Sequence, residues 1–275
     1  MTVLSLPFIY KPLSFLRRDF MEAASYRLSF VWQIFGVLFS VVMFYFIARL
    51  FGASASPYLA AYGGEYFPFV LIGIAFPRYL NVALTTFVET VRDGQETGIV
   101  ETMLITPTRY LAILVYSSLW DYLYVTYEVA LYLAIGIFGF GLQVGSADLI
   151  STLVVLVLTI FSFSTFGIFS AAFVVVFKRG DPVSFLFGTL STLLGGVYYP
   201  VSVLPEGLQK CSNLLPLTYA LRAMRHAILQ GTPVAQLGID LWALGGFAIF
   251  GMPLSLLLFQ RALNRAKKEG TLLQF

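Results

Sequence analysis

The chain has 275 residues, of which 59% are hydrophobic and only 11% charged, with a formal net charge of +3. Soluble domains carry about 25% charged and roughly 45–50% apolar residues, so this composition excludes a soluble globular protein and points to a membrane. The small net charge is spread near the ends of apolar runs, which excludes nucleic acid as a partner.

The apolar runs are about twenty residues long or more, the length a helix needs to cross a hydrocarbon core of roughly 30 Å; barrel strands would alternate over about ten. The expected fold class is an all-α membrane protein with six transmembrane helices. Residues 8–26 are too polar to span. After Pro12, Phe15, Phe20 and Met21 share one side of a helix while Arg17, Arg18 and Glu22 look toward headgroups, the pattern of an interfacial helix. The first span is expected over Leu28–Phe51, with no small-residue cleavage pattern after it, so it should remain in the mature protein. The second covers Tyr66–Val91, where Pro77 predicts a kink. A third follows over Tyr110–Phe140 and a fourth over Leu149–Phe177. The fifth starts at Pro182, where proline suits a first helical turn, and fades into residues 195–200. A sixth occupies Leu237–Phe259.

Between the fifth and sixth spans, Leu204-Pro205-Glu206 opens one short helix and Pro216 a second that ends at Gly231. In the second, Leu217, Leu221, Met224 and Ile228 recur at helical spacing and Arg222, Arg225 and His226 fall mostly away from them. The pair is expected on or in the outer leaflet. Phe67, Phe69, Tyr198, Tyr199 and Tyr219 read as aromatic anchors near the same boundary. The chain thus divides into an interfacial segment (1–27), a six-span body (28–259) and a tail (260–275) within a single domain, 1–275.

Orientation follows from lysine and arginine. With a cytoplasmic N-terminus, Lys11, Arg17, Arg18, Arg27, Arg92, Arg109, Lys178, Arg179, Arg261, Arg265, Lys267 and Lys268 lie inside; Arg49, Lys210, Arg222 and Arg225 fall outside, and Arg78 lies within a span. Both termini are therefore expected in the cytoplasm. The lone Cys211 cannot form an internal disulfide and the lone His226 cannot build a histidine-rich metal site. Cys211 reads as a small packing residue and His226 as a polar interface residue, and no catalytic, cofactor-binding or metal-binding residue is expected in this chain.

On the third span Ser117, Asp121, Tyr124, Glu128 and Tyr132 share one helical face. Carboxylates inside a span are costly and face the bundle or a wet cavity. Counting helical rise from the cytoplasmic ends puts Asp121 level with Asn81 and makes an Arg78 to Asp121 pair the expected contact. Two readings stay open: these groups satisfy one another between spans two and three, or they form a polar patch that contacts a substrate.

The stretch Arg92–Arg109, RDGQETGIVETMLITPTR, is a polar interruption between two apolar runs. Asp93 and Glu96 stand in capping-box spacing, predicting a helix that starts near Gly94, and Pro107 closes it at Thr106. Residues Glu96–Arg109, ETGIVETMLITPTR, resemble the E-x-G-T-L-E-x-L-x-x-[ST]-P-x-x signature of ABC-2 type export permeases. A second run, Gly195–Arg225, is similar to that family's later hallmark. Ile99-Val100 replace the usual Thr-Leu, and Leu215 stands where many members carry Asn.

The resemblance implies a permease that dimerises, a homodimer here, and works with two copies of a separate ABC ATPase in an inner membrane. ATP and magnesium would belong to that partner, in accord with the lack of a G-x-x-x-x-G-K-[ST] loop in this sequence. It further implies that residues 94–106 form a coupling helix docked on the ATPase, carried by Glu96, Gly98, Glu101, Thr106 and Pro107 and flanked by Arg17, Arg18 and Asp19. Nucleotide-driven closure would switch a cavity at the dimer interface between inward and outward access. The substrate path would use Arg78, Asn81, Asp121, Tyr124, Glu128, Tyr198 and Tyr199 for an amphipathic or lipid-linked compound such as a drug, lipid, glycolipid or polysaccharide. The rival classes are an intramembrane enzyme using Asp121 and Glu128, which would call for H-E-x-x-H or a serine–histidine pair in the spans, and a passive channel or scaffold, which would need no ATPase.

Overall fold

The computed structural model describes residues 7–96, 110–142, 144, 147–177 and 180–268, and the elements among them are helical. They are α1 (Pro7–Ser25), α2 (Arg27–Ala55), α3 (Tyr66–Ala75), α4 (Pro77–Glu96), α5 (Tyr110–Ala134), α6 (Leu149–Phe177), α7 (Pro182–Leu194), α8 (Glu206–Ser212), α9 (Pro216–Leu229), α10 (Gly238–Gly246) and α11 (Met252–Lys268). A π-helical turn, Ile135–Gly139, extends α5, and another, Phe247–Gly251, joins α10 to α11. An all-helical plan is what hydrocarbon demands, because helices satisfy their own backbone groups.

The breaks between helices have local causes. Pro77 cannot donate the backbone bond that would continue α3, so the chain turns at Phe76, the break expected from the sequence. Pro182 opens α7, and the Asp181 carboxylate caps it, accepting from the Ser184 amide at 3.0 Å and also from the Ser170 hydroxyl on α6. At the start of α6, Asp148 accepts from the Ile150 amide at 3.1 Å and the Ser151 hydroxyl at 2.6 Å. These bonds, the one from Ser151 foremost, hold its carboxyl below the usual range.

Among the described residues, 5 helical stretches are long and apolar enough to cross a membrane: Arg27–Gly52, Tyr66–Glu96, Tyr110–Gly139, Leu149–Phe177 and Gly238–Lys268. The expected fifth span is α7, a helix of 13 residues. At roughly 1.5 Å per residue it covers about 20 Å, short of a ~30 Å hydrocarbon core.

The core centres on α6. Its Phe163 and Val155 pack with Leu71, Tyr79, Leu80, Val125, Leu217 and Met224. Toward the Glu96 end, Ile168 and Val174 meet Phe87, Val91, Tyr110, Leu114, Phe259 and Leu263. Between lipid-embedded helices the driving force is close van der Waals packing, which small residues permit. Gly167 supplies the tightest approach: a Cβ there would lie 1.8 Å from the Ala83 carbonyl oxygen of α4.

Several expectations are corrected. Helix α4 runs unbroken to Glu96, so Asp93 sits inside it and does not open a new helix near Gly94. The long apolar face of α4 packs on α6 through its last turns, with Val91, Gly94 and Gln95 buried, and this holds the helix together past Val91. Helices α8 and α9 form as expected, but α9 is a core helix, with Leu217, Leu221, Met224 and Ala227 fully buried. Arg225, expected mostly away from these apolar residues, is buried with them at 2% exposure, and Phe69 lies beneath it with no exposed surface. Cys211 is exposed and free, not a packing residue. His226 pairs with Gln230 at 2.7 Å on the less buried side of α9, as a polar interface residue would.

Candidate functional site

Helix α4 carries a feature that its apolar surroundings make unusual. Arg78, Asn81, Thr85, Glu89 and Glu96 follow one another at helical spacing, and all are exposed in the single chain. Their opposite face, including Tyr79, Leu80, Ala83, Phe87 and Val91, is buried. The stripe lies within the span Tyr66–Glu96. Polar and charged groups at that depth face protein or water, not lipid tails.

Antiparallel packing of α4 on α5 places partners across from the stripe. Arg78 forms an ion pair with Glu128 at 2.6 Å, its own side chain 46% exposed and that of Glu128 6%. Two turns nearer the Glu96 end, the Thr86 hydroxyl donates to Asp121 at 2.8 Å. Between these, Tyr79 donates to Thr126 at 3.0 Å, and the Tyr122 hydroxyl lies 2.6 Å from that of Ser164. The expected Arg78 to Asp121 pair is therefore replaced by two separate contacts. The reason is register: α4 extends to Glu96, five residues past the end assumed for the span, so each α4 position meets a residue farther along α5.

The remaining candidate residues fall into two grooves. A cleft of about 550 Å³ between α1, α2, α4 and α5 is lined by Arg18, Asp19, Glu22, Glu89, Asp93 and Asp121, with Tyr26, Trp120 and Tyr124 as aromatic walls. Ser117 also lines it, so the part of the predicted α5 face nearer Tyr110 opens into this cleft, whereas Glu128 and Tyr132 are buried. A second groove, about 490 Å³, runs between α4 and α7 and holds Asn81, Ser184, Thr189, Thr192 and Tyr198. Tyr198 stacks on Phe44 of α2 at 5.8 Å between ring centroids, and its carbonyl accepts from Tyr66 at 3.1 Å. Tyr199 is turned away, its hydroxyl donating to the Leu193 carbonyl.

Of the residues expected to couple to an ATPase, Glu96 is the exposed last residue of α4, and Arg17 and Arg18 are exposed on α1. Arg18 pairs with Asp19 at 2.7 Å and lies 4.9 Å from the centre of the Phe15 ring. Phe15 and Phe20 fix α1 to α5 through Tyr116 and Trp120. Gly98, Glu101, Thr106 and Pro107 lie outside the described residues, as does most of the expected coupling helix over residues 94–106.

Two polar contacts escaped the sequence reading. Arg225 donates to the carbonyls of Phe69 at 3.2 Å and Val197 at 3.1 Å, with its guanidinium 3.4 Å from the Phe69 ring centre. This ties α9 to α3 and to the turn before Tyr198. Arg222 pairs with the buried Asp240 of α10, its Nε lying 2.8 Å from the carboxylate. The lone acid in an apolar run was the available signal for the second; no local pattern marked the first.

A family model described as ABC-2 type transporter matches residues 13–229 of the chain. The chain is also similar to Nodulation protein J of Sinorhizobium fredii (strain NBRC 101917 / NGR234), being 40% identical over 78 residues. That match covers 28% of this chain and 29% of the relative, so the chain spans under a third of the length of the curated relative it matches.

Proposed function

Because the chain belongs to the ABC-2 type transporter family, a multi-pass, membrane-embedded helical protein, we propose that it is the transmembrane subunit of an ATP-driven exporter. Two copies of it would form the permease, and two copies of a separate ABC ATPase would bind ATP and magnesium. The observation that carries this reading is the exposed polar stripe Arg78, Asn81, Thr85 and Glu89 on α4. A span cannot present such a face to hydrocarbon, so a second copy covers it and a hydrated path runs between the two. The Asn81–Tyr198 groove and the Asp121–Tyr124 cleft open along that path.

In this arrangement both termini, α1 and the Glu96 end lie on the cytoplasmic side of an inner membrane, following the excess of lysine and arginine there. Residues 97–109 would contact the ATPase. Helix α7 with the turn at Gly195–Pro200 would complete a sixth crossing, and α8 and α9 would close the outer side. Closure of the ATPases would tilt α4 and α5 as a unit, because the Arg78–Glu128 and Thr86–Asp121 contacts join them. The cargo fitting the mixture of hydroxyls, carboxylates and aromatic rings is an amphipathic or lipid-linked compound.

The test is to express the chain with ABC ATPases encoded beside it, purify the complex, and measure ATP hydrolysis in proteoliposomes across drugs, lipids and glycolipids. A stably associated ATPase stimulated by one of these classes supports the proposal. Purification without an ATPase, with ion or solute leakage through the reconstituted chain, would favour a passive channel.

A further inference from the structure

An apolar groove of about 630 Å³ lies between α6, α7 and the α10–α11 helix, on a different side of α7 from the Asn81 groove. Its walls are Phe166 and Phe187, stacked at 4.1 Å, with Phe169, Phe247, Leu254 and Leu258. The π-helical turn Phe247–Gly251 widens the helix here, and two glycines clear the floor. Gly251 sits tight on α6, where a Cβ would come within 2.5 Å of Thr165. Gly246 is the reverse: a Cβ there would meet nothing within 4 Å. The groove from Phe247 to Leu258 is roughly 16 Å long, about one leaflet of a ~30 Å core.

At the end of the groove the chemistry changes on the same helical face. Leu254 and Leu258 are followed at helical spacing by Arg261, which is exposed and has no carboxylate partner among the described residues. Lys267 and Lys268 are exposed two turns farther along. An acyl-sized channel that ends under an exposed guanidinium matches one class of molecule present wherever a membrane protein is. We propose that this groove holds one acyl chain of an anionic phospholipid, with its headgroup phosphate bound by Arg261. The assignment needs only that the chain is embedded in a bilayer, so it stands apart from the exporter reading.

The test uses the full chain in nanodiscs of phosphatidylcholine with a minority of phosphatidylglycerol, each lipid in turn bearing a diazirine midway along one acyl chain. Crosslinked peptides are then mapped by mass spectrometry. The phosphatidylglycerol probe should label the Phe166–Phe169 and Leu254–Leu258 segments about fivefold more than the phosphatidylcholine probe, the preference one basic residue near an anionic headgroup gives. Arg261→Gln should bring the two probes to parity, and Gly246→Leu should remove labelling of the groove by both while labelling of exposed Phe39 on α2 stays unchanged. Equal labelling of the wild type by both probes, or a preference that survives Arg261→Gln, would overturn the proposal. So would crosslinking between two copies carrying Phe250→Cys in a Cys211→Ser background, which would put a second copy in the groove. Should Gly246→Leu fail to fold, the exposed Arg261→Gln decides the matter alone.

Discussion

Arg78 and Glu128 form an ion pair of unequal burial: at 2.6 Å, the guanidinium is half exposed and the carboxylate almost wholly enclosed. The inequality predicts unequal consequences. Arg78→Met strands a buried carboxylate and should destabilise the chain by about 3 kcal/mol, the lower end for breaking a buried pair. Glu128→Gln leaves a cation that can reach water, and should cost only about 1 kcal/mol while lowering transport. Thermal unfolding in detergent, alongside transport by the complex, checks both. Equal destabilisation by the two variants would contradict this account of the pair.

The α4 stripe predicts contact between copies. Asn81→Cys in a Cys211→Ser background should give a disulfide-linked dimer on mild oxidation, read on a non-reducing gel. Ile239→Cys, exposed on α10, should give little. A reversed pattern would move the interface to the other side of the bundle.

The coupling proposed for residues 97–109 rests on the charge of that segment. Glu101→Arg should reduce ATPase co-purification or substrate-stimulated hydrolysis while leaving the thermal unfolding of the chain unchanged. If hydrolysis and transport stay coupled, another residue of the segment or Arg17 and Arg18 would have to carry the contact.

Arg225 and Gly73 predict a rigid turn at residues 195–200. A Cβ at Gly73 would lie 2.0 Å from the Val197 carbonyl oxygen, the group to which Arg225 donates. Gly73→Ala must push that carbonyl away, at a cost of about 1–3 kcal/mol typical of overpacking. Hydrogen exchange in residues 195–200 should rise in this variant and stay unchanged at α5.

Asp148 predicts an acid-sensitive helix start. Its carboxyl is held below its ordinary 3.8 by the bonds from Ser151 and Ile150. A depressed pKa stabilises the fold above the unfolded value, and the effect is lost as pH falls through the folded one. The stability difference between wild type and Asp148→Ala should thus be full at neutral pH and shrink on acidification below about 4, as followed by unfolding at a series of pH values.

What the amino-acid sequence determines by itself follows rules that act along the chain. Run length, proline positions and basic residues marked helices, breaks and ends, so the break at Phe76 and the starts of α7 at Pro182, of α8 and of α9 fell where the residues placed them. Helical spacing gathered Ser117, Asp121, Tyr124, Glu128 and Tyr132 on one face of α5 without saying what that face meets. The motifs named the family, which no packing detail could have done. Tertiary structure alone decided which groups pair across helices, since a shift of one turn in register moves every contact. That shift gave Arg78 to Glu128 and Asp121 to Thr86. It also decided burial: Arg225 reads as a surface cation on its own helix, yet two backbone carbonyls and an aromatic ring from elsewhere in the chain hold it inside. Local sequence carries propensity and periodicity, whereas the partner that makes a buried charge tolerable is supplied by a distant segment, and only the folded chain brings the two together.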